Sequence, residues 1–132
     1  MIFVFPITTP PNTPQSAPLV TTLQLSGGII TEGQLQFPGG VLALCHISIF
    51  YGLFQLWPSN QDGTFATNDE TILWSDDYPL LQPPFVLTAE TWNDDDTYPH
   101  TITVRIVISP ADQGQTLADQ IANTLLQYGV QS

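Results

Sequence analysis

The stretch WNDDDTYPH (92–100) sets Asp94, Asp95 and Asp96 side by side, flanked by Trp92, Tyr98 and His100. Adjacent carboxylates repel one another unless they are solvated, hydrogen-bonded or bridged by a cation. The plain expectation is a hydrated loop tip, because surface acids are as a rule solvated. The sharper one is a carbohydrate site, with an aromatic ring to stack on and carboxylates to accept from hydroxyls. Trp92, Asp94, Asp95, Asp96 and Tyr98 are the residues such a site would use.

A second oxygen-rich stretch, PSNQDGTFATNDE (58–70), places Asn60, Asp62 and Gly63 at the spacing of the third, fifth and sixth positions of an EF-hand loop. The first ligand position would then be Pro58, which offers no side-chain oxygen, and the twelfth is Asp69 instead of Glu, so no EF-hand is present. A looser calcium set remains in Asn60, Asp62, Asp69 and Glu70, and Ca2+ is the one cofactor that these residue types suggest. The competing reading is a turn, the ordinary use of Asn-Asp-Gly chemistry between strands.

Catalysis finds less support, and the expectation is a non-enzymatic protein. His46 and His100 are the two side chains that titrate near neutral pH without a large shift. Cys45 and His46 are neighbours in an apolar run, so on a strand they point to opposite faces and cannot pair as nucleophile and base. Cys45 is the single cysteine, which excludes an internal disulfide and is best read as a small buried hydrophobe. Distant acids could converge as a glycosidase-type dyad, but nothing in their spacing points to one.

The elements that must carry these residues follow from the rhythm of the chain. At 132 residues it has the length of one domain with one core. Short alternating runs punctuated by turn residues predict strands over 19–26, 29–37, 41–51, 53–57, 70–75, 85–92 and 100–109. Gly27-Gly28 predicts a tight hairpin between the first two, and 41–51, apolar on both faces, predicts a central strand. The fold class expected is all-β, an antiparallel jelly-roll-like sandwich of about seven or eight strands. Thr116 and Asp119 resemble a capping box, and Leu117, Ile121, Leu125 and Tyr128 recur at helical spacing before Gly129, which predicts one short C-terminal helix. The organisation is then an arm over 1–18, a sandwich over 19–110 and a helix with its tail over 111–132.

The arm opens on MIFVFPIT, where Ile2, Phe3, Val4, Phe5 and Ile7 have strand chemistry, and continues into five prolines by position 18. Exposing that tip alone would invite aggregation, so it either folds back on its own sheet or adds to a neighbour's sheet edge. A Pro-rich tether from Thr8 to Ala17 extends by about 3.1 Å per residue and reaches roughly 30 Å, which favours exchange between subunits through these five apolar residues. It lacks the basic n-region and full-length h-region expected of a signal peptide, and no segment has the roughly 20 apolar residues that span a bilayer. Arg105 is the single Lys or Arg against twelve acids, for a formal charge of −11. One cation cannot neutralise phosphates, so nucleic acid and anionic membranes are not expected partners.

The proline-rich MIFVFPITTPPNTPQSAP segment, the strand–turn rhythm and the closing TYPHTITVRIVI strand resemble the small all-β structural proteins of tailed phages. These include decoration, adaptor and fibre-associated jelly-roll subunits that embrace neighbours through N-terminal arms. The resemblance covers residues 1–109. It implies a virion structural subunit that forms homo-oligomers and contacts other structural subunits. The alternative is an extracellular carbohydrate-binding module using the Trp92–Asp96 loop.

Overall fold

The computed structural model of the chain describes residues 1–110. They form eight strands: β1 (Ile2–Thr9), β2 (Leu19–Gln24), β3 (Gly28–Phe37), β4 (Cys45–Tyr51), β5 (Phe54–Trp57), β6 (Glu70–Leu80), β7 (Val86–Asn93) and β8 (His100–Pro110). The expected C-terminal helix lies outside the described residues.

The strands make two four-stranded antiparallel sheets, ordered β1-β8-β3-β6 and β2-β7-β4-β5. Every sequential link except β4 to β5 therefore crosses from one sheet to the other. Alternation decides which side chains meet between them: Ile102, Val104, Ile106 and Ile108 of β8 are buried, as are Cys45, Ile47 and Ile49 of β4 and Leu87 and Ala89 of β7. One apolar core between the sheets results. At about 25 cal/mol per Å² this burial is the main force holding the sheets together.

The side where edges β5 and β6 meet is sealed by rings. Trp74 stacks on Phe65 at 5.4 Å and lies 5.4 Å from Trp57, whose Nε1 donates to Asp76 at 2.9 Å. Gly33 lies directly beneath Trp74, where a Cβ would come within 2.2 Å of the indole, so a strand position otherwise poor for glycine needs it here.

Several expectations are corrected. Gly27-Gly28 is not a hairpin: β2 and β3 lie in different sheets, and the glycines carry the chain across. Gly28 has φ +153°, and an added Cβ would meet the Ser109 carbonyl at 2.3 Å. The strand predicted to start at 41 starts at Cys45, because Leu42 and Ala43 turn through the left-handed region at φ 52° and 58°. The strand predicted over 70–75 runs on through Asp76, Asp77, Tyr78, Pro79 and Leu80 as β6. Pro79 is tolerated because β6 is an edge, as is Pro6 on edge strand β1.

The apolar tip of the arm is β1, which folds back antiparallel on β8 of its own chain, from Ile2 opposite Val107 to Thr9 opposite His100. Ile7 is buried and Phe3 and Phe5 pack on the core, while Ile2 and Val4 face outward. The tether is pinned rather than extended. Asn12 N–H donates to the Asp95 carbonyl at 2.8 Å, and Thr13 forms a bridge with Asn93.

Candidate functional site

The loops joining β1 to β2, β3 to β4 and β7 to β8 gather at one end of the sheets with the later part of the β5–β6 link, whereas residues 58–63 of that link fold back beside Gln55 toward the β4–β5 turn. The acidic run lies among the gathered loops. Its three carboxylates do not face one another. Asp95 turns inward: its Oδ1 accepts from Thr97 N–H at 2.9 Å and Tyr98 N–H at 3.2 Å, and its Oδ2 lies 2.8 Å from His100 Nε2. The backbone donor of Thr97, then the His100 side chain, holds the Asp95 carboxyl below its ordinary value. Asn93 completes the hub, accepting from Asp95 N–H at 3.0 Å and donating to the carbonyls of Thr9 and Tyr98. These contacts make Asp95 a buttress of the loop. The Tyr98 side chain is exposed, and Asp96 accepts from Thr97 Oγ1 at 2.8 Å.

Asp94 points outward, its Oδ2 3.4 Å from His46 Nε2. His46 and Trp92 are opposite one another on β4 and β7, and their rings stack at 4.8 Å with 9° between planes. His46 Nδ1 shares a 3.0 Å hydrogen bond with Thr64 Oγ1. The fold therefore brings Trp92 and Asp94 together with His46 and Thr64, two residues that sequence reasoning did not assign here. With Nδ1 bonded to Thr64, Nε2 beside Asp94 and one ring face on Trp92, His46 ties the loop to β4. Cys45 points the other way into the core, where burial pushes its thiol up while the Thr9 hydroxyl acts against that.

The calcium candidates are spread out. The Asn60 carbonyl accepts from Gly63 N–H at 2.9 Å, closing the turn expected of Asn-Asp-Gly chemistry, with Asp62 at φ 64°. Asp69, at φ 48°, bonds through its N–H to the Pro38 carbonyl, and Glu70 accepts from Thr67 Oγ1. Among the described residues, no three His, Cys, Asp or Glu side chains converge as a cation site.

A groove of about 490 Å³ lies at the other end of the sheets, along the β4–β5 hairpin. Phe50, Leu53, Phe54, Gln55, Ser59 and Asp62 line it. Leu53 is fully exposed and Phe54 is 67% exposed. Its sequence signal was the Tyr51-Gly52-Leu53 turn, but that the other described residues leave the turn uncovered depends on the fold.

Comparison with family models, curated proteins and solved structures finds no match. The functional reading therefore rests on the sequence and the geometry.

Proposed function

We propose that this chain is a non-enzymatic structural subunit that self-associates through β1, built on a jelly roll. The topological support is the nested pairing of β1 with β8, β2 with β7, β3 with β6 and β4 with β5, all antiparallel. That is a long ribbon folded over at the β4–β5 turn, and its links cross between the sheets as those of two Greek keys do.

The observation that carries the reading is the outer edge of β1, which no other strand pairs with among the described residues. Edge strands in monomeric proteins are usually blunted by charges, bulges or covering loops. From Ile2 to Thr9 this one has no charged residue, and Ile2 and Val4 are 66% and 54% exposed on its outer face. Pro6 alone interrupts its donors. Such an edge suits addition of another strand. The virion role follows from the resemblance to phage structural subunits, and antibodies to the chain should then label intact purified virus particles. The carbohydrate reading is the weaker, because Trp92 already stacks on His46.

The test is the solution mass of the full chain and of Val4→Lys, by light scattering across protein concentration. Val4→Lys places a charge on the outer face without touching the core, so the expected result is a folded protein of lower mass. A full-length chain that stays monomeric at every concentration overturns the proposal.

A further inference from the structure

The chain has one Lys or Arg, Arg105, and its position is specific. It stands on β8 in a row that crosses the first sheet as Val4, Arg105, Gln34 and Leu73. Its neighbours Val104 and Ile106 are buried, so Arg105 faces outward. Its guanidinium donates to Gln36 Oε1 at 2.7 Å and meets no carboxylate among the described residues. Ile2, Val4 and Leu73 are exposed around it, and neither β1 nor β8 carries an acid. The β1–β8 part of this outer face is apolar around one cation, and on β3 the face continues with polar Gln34 and Gln36 and with Glu32 opposite Val107.

The β4–β5 groove offers the complement. Gln55 Nε2 donates to the carbonyls of Pro58, Asn60 and Gly63 at 2.7, 3.2 and 3.0 Å, which shapes the wall of the groove. The Ser59 hydroxyl donates to the Leu56 carbonyl. With those donors spent, Gln55 Oε1 and the Asp62 carboxylate present acceptors beside the exposed Leu53 and Phe54. An occupant must bring apolar surface and a cation. Arg105 and the groove belong to different sheets, so one chain cannot join them.

Resting on the self-association reading, we propose that the β4–β5 tip and groove of one copy dock on the outer face of the β1-β8-β3-β6 sheet of the next, with Asp62 against Arg105. Two different patches meet in this contact, so it is head-to-tail and generates a ring or an open row. The apolar tip supplies contact area, and the charge pair selects the register among chains that otherwise repel one another.

The experiment is sedimentation velocity on the full chain over a wide concentration range, with Arg105→Glu, Asp62→Lys, the double variant carrying both, and Asp96→Lys at the opposite end. Each single variant at the pair should weaken association by about tenfold or more, and the double variant should recover to within about threefold of the parent. Asp96→Lys matches the charge change of Asp62→Lys and should not weaken association. Singles that weaken without rescue in the double, or an equal loss in Asp96→Lys, overturn the pairing. Association that Val4→Lys abolishes but neither pair variant alters overturns this contact and leaves the β1 reading standing. A parent chain that never associates overturns both.

Discussion

The residues with the most chemical appearance in the sequence serve the loop that holds them. Asp95 is the plainest case, a carboxylate whose partners are two backbone donors and His100. Its pKa is lowered from 3.8 on folding. The stability it contributes is therefore fully present above that value and is lost as pH falls through the lower folded one. We expect Asp95→Asn to lower the melting temperature at pH 6, with the gap to the parent closing as pH falls below 3.8. A gap that is the same at all pH values would show that the charge does not stabilise the loop. The run DDD was legible as a loop, but its division of labour was not, since identical neighbours differ only in what tertiary contacts meet each carboxylate. The opposed directions of Cys45 and His46 were legible, because strand alternation is a local property.

Among the elements, local patterning identified strand chemistry well and strand partnership poorly. The strands over 19–26, 29–37, 53–57, 85–92 and 100–109 were legible to within a few residues, since apolar alternation and flanking turn residues are local signals. Gly27-Gly28 was misread as a hairpin because a flexible pair permits both a tight turn and a crossing between sheets. The choice depends on β8 and β6 flanking β3, partners far away in sequence. Gly33 shows the same dependence: nothing local explains a glycine in mid-strand, and the Trp74 ring packed over it does. Gly33→Ala should destabilise the protein by about 1–3 kcal/mol through overpacking, measured by urea denaturation. A smaller change would mean that the ring moves aside freely.

For the whole molecule, the placement of β1 determines how its function can be tested. Ile7 is buried and Phe3 and Phe5 pack on the core. Full burial of a side chain such as Ile7 contributes about 1.5–3 kcal/mol and the half-buried Phe3 and Phe5 add to it, a large share of the ~5–15 kcal/mol that stabilises a domain. Deleting residues 1–9 should therefore abolish cooperative unfolding, followed by circular dichroism on heating. A deleted chain that still melts cooperatively would mean that β1 is dispensable to the sandwich. The acidic character, the single domain length, the all-β class and the apolar strand at the start were determined by the sequence itself, because composition and period-2 patterning require no knowledge of partners. Which sheet each strand joins, the pinning of the proline tether beside Asn93, the His46–Trp92 stack and the uncovered groove at Phe54 were decided only by tertiary structure. Each is a pairing between segments distant along the chain, and a strand's own pattern specifies which face is buried without specifying which strand lies beside it.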